Sequence, residues 1–462
     1  MKKTKLFLGA MGLLLALGSC TDYTEHDLYN PTYPTPEGKS LYRPKDFSGQ
    51  DWSTDNFDYS YKHAAYTDNL AIFWQKGFGD DLASPPSLEG TDMSVDLDNL
   101  KTQLEKFYTF YRDDLGFHMD NSKADTYRMM VMLQYSLEGT AYGGAYDNTI
   151  GAFWAAPNRL KDPKLNTVAH ELGHSFQLQM QADGAPGFSN DFGGIYEMTS
   201  QWMLWQVNPN WIDDETYHWD AFKDLTHKAF LHEENIYHSP YVLEYWSQKH
   251  GKKIMAELWK NAKNNSETWE FEDPVQTYQR ITGITQQEFL DEMYDCYARL
   301  VNMDFDRVRD VTRKYANSLP SATSYMNEVG DGWYQVDPSH CPENYGFNAL
   351  KLEVPAAGST VSVDFNNIMG NPDYTCEWWW CGSYRFGFVG VTESGNTIYG
   401  EVGKADYDNR QATATFSLPE GEKLTHLWLV VTAGPKDGHW TLQQQPLAQW
   451  PYQVKFTGTK MI

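Results

Sequence analysis

Hydrophobic residues along this chain change their spacing twice, and each change marks a new part of the molecule. Ala71-Ile72-Phe73-Trp74, Arg128 to Tyr135 and Ile150 to Ala155 are apolar runs of strand length. Leu97, Leu100, Leu104, Phe107, Tyr111 and Leu115 recur at helical spacing and predict a helix over about residues 94–115. Tyr142-Gly143-Gly144 reads as a turn. From residue 163 to about 300 the spacing is that of helices. From about residue 318 it becomes alternation: Leu350, Leu352 and Val354; Val361, Val363 and Phe365; Phe386 and Phe388; Ala412, Ala414 and Phe416; Leu427, Leu429 and Val431. Pro355 to Gly358, Glu393 to Asn396 and Pro419 to Gly421 supply turns between these runs. The order predicts an α+β domain over residues 59–317, a small sheet with a mainly helical second half, followed by an all-β sandwich over 318–462.

The N-terminus has a different character. Lys2, Lys3 and Lys5 precede an apolar run from Leu6 to Leu17, too short to span a membrane, so residues 1–19 read as an export signal. Leu17-Gly18-Ser19-Cys20 resembles a bacterial lipobox, which implies cleavage before Cys20 and acylation of that cysteine. Residues 20–58, with Pro31, Pro34, Pro36 and Pro44, read as a tether. The expected location is the outer membrane, with the chain anchored through Cys20 and facing the periplasm or the outside; Asp22, Glu25 and Asp27 resemble a weak surface-export signal.

Loss of the signal removes three lysines and no acid, taking the net charge from −25 to −28. Nucleic acid is thereby excluded as a partner. Four cysteines remain after Cys20: Cys296, Cys341, Cys376 and Cys381. In an oxidising compartment they permit two disulfides in three pairings, of which Cys376 with Cys381 is favoured.

The chemistry lies in His170-Glu171-Leu172-Gly173-His174. Residues four apart share a helical face, so two imidazoles can meet one metal ion with a carboxylate beside it. Asp162 and Pro163 read as the N-cap and first position of that helix, and Leu165, Val168, Leu172 and Phe176 as its buried stripe. Glu171 is the only charged residue from Asn166 to Met180, and a metal would compensate its burial. A catalytic zinc takes a third protein ligand. The metzincin continuation would put Gly at 177 and His at 180, where this chain has Gln177 and Met180. Glu197 is the only charge between Ile195 and Trp205 and is assigned as third ligand, with Asp183 and Asp191 as rivals in the intervening loop.

With Thr167 to Phe176 and Glu197 in this arrangement, residues 60–315 resemble the gluzincin zinc metalloproteases, most closely the secreted enhancin-like and related bacterial members. The resemblance implies a zincin-like core holding one Zn2+. Glu171 takes the proton of the zinc-bound water and passes it to the leaving amine. An oxyanion donor is expected from Ile236 to Tyr241, namely His238 or Tyr241, and strand 150–155 would be the edge that aligns a peptide. Gln201 stands where these proteins often carry an Asp that supports a zinc-bound His. The expected function is a membrane-tethered metallopeptidase acting on protein or glycoprotein. The alternative is a glycan- or glycoprotein-binding lipoprotein with a weakly active or inactive zinc site, for which Trp378-Trp379-Trp380 would offer stacking surfaces.

Overall fold

A computed structural model of the chain describes residues 37–189, 193–265, 270–376, 379–437 and 448–462. The signal segment, Cys20, the tether up to residue 36, Asp191, Trp378 and the side chain of Trp379 lie outside the described residues.

The first sheet contains β1 (Ala64–Tyr66), β2 (Leu70–Trp74), β3 (Met129–Leu133), β4 (Ala141–Tyr146) and β5 (Ile150–Ala155), in the order β1-β2-β3-β5-β4. β2, β3 and β5 run parallel, and the two outer strands are antiparallel to their neighbours. β2 and β3 are buried at every position because both faces of this parallel centre are covered. Between β2 and β3 lie α1 (Leu97–Thr109), capped by Asp96 and continued by a π-type turn over Phe110–Asp114, and the short α2 (Lys123–Thr126).

Three expectations are corrected here. Tyr142-Gly143-Gly144 is not a turn but the middle of β4, and the chain reverses at Asp147 and Asn148, both with positive φ. β5 lies inside the sheet, whose edges are β1 and, on the β5 side, β4. The tether is shorter than residues 20–58, because Phe47, Trp52 and Phe57 pack on one another, Trp52 reaches Phe73 (5.4 Å) and Phe47 reaches Tyr146 (5.7 Å). The aromatic rings in this proline-bearing stretch give it enough apolar surface to dock on the sheet.

Next come α3 (Asn166–Ala182), α4 (Gly193–Val207), α5 (Trp211–Asp214), α6 (Thr216–Lys223), α7 (Tyr241–His250) and α8 (Ile254–Asn261). A two-stranded ladder of β6 (Asn264–Asn265) and β7 (Glu270–Phe271) precedes α9 (Pro274–Thr282), α10 (Gln286–Leu300) and α11 (Arg309–Thr312). None of the described helices is long and apolar enough to cross a membrane.

The C-terminal part holds β8 (Met326–Gly330), β9 (Trp333–Val336), β10 (Phe347–Leu352), β11 (Thr360–Asn367), β12 (Gly382–Thr392), β13 (Thr397–Asp406), β14 (Gln411–Ser417), β15 (Leu424–Pro435) and β16 (Tyr452–Thr457). They form two antiparallel sheets, β10-β15-β12-β13 and β14-β11-β16-β9-β8. The sheets face each other through Phe365, which stacks on Phe386 at 4.2 Å and lies 5.4 Å from Tyr452. β12 is buried along its whole length and so shows no alternation: one face lines this core, and from the other Arg385 pairs with Asp291 of α10. Tyr297 of α10 stacks on Phe347 at 4.2 Å, so an apolar seam joins the helices to the sandwich. Two disulfides do not form: Cys296 is a buried thiol bonded to the Tyr241 carbonyl among the helices, and Cys341 is a buried thiol in the sandwich core.

Candidate metal centre

The helix with the His-Glu-His motif starts later than the sequence suggests. Its N-cap is Leu165 in left-handed backbone (φ 55°), while Asp162 accepts from the amides of Lys164 and Asn166 and so organises the preceding turn, with Pro163 outside the helix. Leu165, Val168, Leu172 and Phe176 are buried as the spacing predicts. Two hydroxyls from elsewhere anchor helix carbonyls, Tyr111 to Ala169 (2.9 Å) and Ser200 to His170 (3.0 Å), and Ser175 of α3 itself bonds both Glu171 (3.0 Å) and Ala152 of β5 (2.8 Å). β4 presses against the same turn. A Cβ at Gly143 would stand 2.4 Å from the Glu171 carbonyl and 2.4 Å from the His174 Cβ, so only glycine permits this approach.

Three atoms converge between α3 and α4. His170 Nε2 and His174 Nε2 are 3.1 Å apart, and Glu197 Oε2 lies 3.2 Å from the first and 3.1 Å from the second. Tetrahedral zinc with bonds of about 2.0–2.1 Å requires ligand atoms roughly 3.3 Å apart, so the triangle has the size of a zinc ligand face. His170, Glu171 and His174 also present ligand atoms within 4.8 Å of one another. Glu197 Oε2, at 3.1–3.2 Å from the two imidazole nitrogens, completes the triangle, with Glu171 beside it. Asp183 does not compete. It accepts from Ser122, the Lys123 amide and Gln179 at the start of α2.

The far sides of both imidazoles are fixed. His170 Nδ1–H donates to Gln201 Oε1 (2.7 Å) and His174 Nδ1–H to Gln177 Oε1 (3.0 Å), which leaves the Nε2 lone pairs facing the centre. Gln177 in turn donates to the Tyr196 carbonyl (3.0 Å). Gln201 therefore orients His170 as a neutral acceptor. Its amide nitrogen donates to His218 Nε2 (3.2 Å), and His218 Nδ1 is 2.7 Å from His238 Nδ1, so a directed chain of bonds leads outward from His170. Burial opposes a charge on His174, but Glu197 outweighs it and the pKa is pushed up to about 9. Glu197, although buried, is held well below the usual carboxylate range by His174 and His170. The donor set thus draws positive charge into its middle, which a divalent cation satisfies better than a proton.

A cavity of about 190 Å³ opens beside the triangle, lined among others by His170, Glu171, Gln201, Glu215, His218 and Tyr237. The Tyr237 ring in this lining lies 6.1 Å from that of His170, and burial together with the Glu197 charge raises its pKa. The two residues expected to supply the oxyanion donor lie elsewhere. Tyr241 is 1 % exposed and packs on Phe222 (4.7 Å), Trp205 (5.5 Å) and Trp219 (5.7 Å), with its hydroxyl turned into the core. His238 ends the Gln201–His218 chain instead of facing the triangle, and burial with the neighbouring His218 lowers its pKa to about 4. Of the cluster Ile236 to Tyr241, the structure brings Tyr237 to the cavity, and side-chain direction in a loop carries no periodic signal. In the sandwich, Trp380 is 43 % exposed.

A model described as a family of unknown function, DUF6055, matches residues 34–462. No curated protein sequence matches the chain. Among solved structures, a functionally unknown conserved protein mutant from Bacillus anthracis str. Ames is similar over 78% of this chain and 72% of its own, at 12% identity and a TM-score of 0.31.

Proposed function

The chain belongs to the DUF6055 family, and from the geometry of its α3–α4 pair we propose that it is a gluzincin-like, zincin-fold zinc metallopeptidase, tethered outside the cytoplasm through Cys20 and acting on protein or glycoprotein. The observation that carries this reading is the triangle of His170, His174 and Glu197 with edges of 3.1–3.2 Å. These three residues would hold a zinc ion, which would supply Lewis acidity and acidify a bound water. Glu171, 8 % exposed on the same face of α3, accepts the proton of the attacking water and returns it to the leaving nitrogen. Tyr237 turns its hydroxyl to the oxyanion that forms on the carbonyl. Gln201 and Gln177 keep the two imidazoles in the binding tautomer. β4, an edge strand of the sheet, offers backbone pairing to an extended substrate, and Ala141 at its start lines the cavity.

The test is zinc content together with cleavage of a denatured protein or a mucin. Wild type should hold one zinc per chain and Glu197→Ala should hold little. Glu171→Gln should keep the metal and lose activity on the order of 10²–10⁴-fold. Cleavage that survives Glu171→Gln sinks the peptidase reading. The second reading, a glycan-binding lipoprotein, is favoured by the exposed Trp380. It gains if wild type binds zinc, cleaves nothing, and binds glycans in a way that Trp380→Ala abolishes.

A further inference from the structure

One loop joins the sandwich to the metal centre. Residues 224–240 run from the end of α6 to the start of α7, and their first part is bonded to residues 343–347, which lead into β10. Phe347 N–H donates to the Thr226 carbonyl (2.8 Å), Glu343 N–H to the His227 carbonyl (2.8 Å), and Phe230 N–H to the Asn344 carbonyl (3.0 Å). The Glu343 side chain, 8 % exposed, accepts from the buried Ala229 N–H at 2.9 Å, and Lys228 Nζ lies 3.5 Å from its other oxygen. The approach is so close that a Cβ at Gly346 would stand 2.4 Å from the His227 oxygen and 2.6 Å from that of Lys228. The last part of the same loop abuts α4, where a Cβ at Gly194 would lie 2.8 Å from both the Leu231 oxygen and Ile236. It presents Tyr237 to the cavity beside His170 (ring separation 6.1 Å) and His238 to His218.

We propose that the C-terminal sandwich is a positioning part of the hydrolytic site and that Glu343 is its positioning residue, acting through this loop on Tyr237. Both ends of the loop are held, one by the sandwich and one by α4, so a shift at 226–230 is passed to 237–238. Loss of the Glu343 acceptor leaves a buried N–H unsatisfied, which the loop relieves by moving towards water. The kinetic arm of the test rests on the peptidase reading; the structural arm does not.

The experiment compares full-length wild type, Glu343→Ala, Glu343→Gln and Gly346→Ala. Glu343→Gln keeps an acceptor oxygen for Ala229. Gly346→Ala strains the same contact from the sandwich side, so a folding failure in one variant leaves the other to decide. In Glu343→Ala and Gly346→Ala, kcat should fall on the order of 10- to 100-fold, with KM and zinc content within about twofold, because displaced catalytic groups lose rate before binding. Amide exchange over residues 231–240 should accelerate in both, while Glu343→Gln stays close to wild type in rate and exchange. Unchanged kcat and exchange in both variants overturns the proposal, as does zinc loss in step with kcat, or Glu343→Gln as impaired as Glu343→Ala. If wild type binds zinc and cleaves nothing, the peptidase reading alone fails. The coupling is then decided by exchange, supported by acceleration in Glu343→Ala and not in Glu343→Gln, and overturned by its absence.

Discussion

Glu197 on α4 and Glu244 on α7 look alike in sequence, each a lone carboxylate among Ile, Tyr, Met, Val, Leu and Trp, yet the protein treats them differently. Glu244 has a side chain 1 % exposed and is answered within the chain: Arg307 meets its two oxygens at 2.8 and 2.9 Å and Gln206 donates at 2.6 Å. Glu197, 24 % exposed, faces two imidazoles and the Tyr237 hydroxyl. One charge is cancelled by a permanent cation, the other faces groups whose own charge depends on protonation or on a bound metal. A buried carboxylate is therefore not in itself a mark of function; one whose partners are metal ligands rather than a guanidinium is.

The widest separation between the two comes from stability with and without metal. Glu244→Ala strands Arg307 and should cost about 3 kcal/mol whether zinc is present or chelated, since breaking a buried pair is costly while the remaining charge here is partly solvated. Glu197→Ala should change the chelated protein little and abolish the zinc-dependent rise in Tm, which at about 1,000 times Kd is worth roughly 4 kcal/mol. The opposite pattern, zinc loss in Glu244→Ala and metal-independent unfolding in Glu197→Ala, breaks the comparison.

A smaller difference should separate two tyrosines. Tyr237→Phe removes the donor next to Glu197 and should lower kcat on the order of 10²-fold with KM unchanged. Tyr241→Phe should leave kcat alone and keep Tm, because the Tyr241 hydroxyl has no hydrogen-bond partner among the described residues. Equal losses in the two would remove Tyr237 from the mechanism.

The smallest effect concerns pH. His227 stacks on His340 at 4.4 Å beneath the sandwich, and burial, His340 and Lys228 hold its pKa down to about 3. Above the unfolded value of about 6.5 both states are neutral there and stability is unaffected. As the pH falls from about 6.5 towards 3 the unfolded chain takes up a proton that the folded one does not, and stability drops. Urea midpoints measured from pH 7.5 to 5 should fall less in His227→Gln than in wild type; parallel slopes would rule out this source.

What the sequence made legible follows from the range of the interactions. His170, Glu171 and His174 are set by one helical turn. Glu197 became readable only because that motif called for a third ligand; on local grounds Glu244 was its equal. Gly143 and Gly144 were taken for a turn because glycine usually is one, whereas here its small size lets β4 press on Glu171 and His174, a contact made across 28 to 31 residues. In the sandwich β8, β9, β13 and β16 escaped notice, β13 because its alternation is broken by Gly400 and Gly403 and its outward face is polar. Tyr237 was hidden for a related reason. It lies in a loop whose first part, residues 226–230, is bonded to residues 343–347, more than a hundred positions away.

The three atoms of the triangle come from only two helices, and the shortest path along the chain between them runs from His174 to Glu197, 23 positions apart. A metal bound there closes a ring of that size, as a disulfide would, and by the same chain-entropy reasoning is worth about 3 kcal/mol against the opened chain. Chelation would then do more than switch off a reaction. It would remove a cross-link that adds to the Gln201–His170, Ser200–His170 and Gln177–Tyr196 bonds between α3 and α4, and by loosening that pair would shorten the protein's life against proteases.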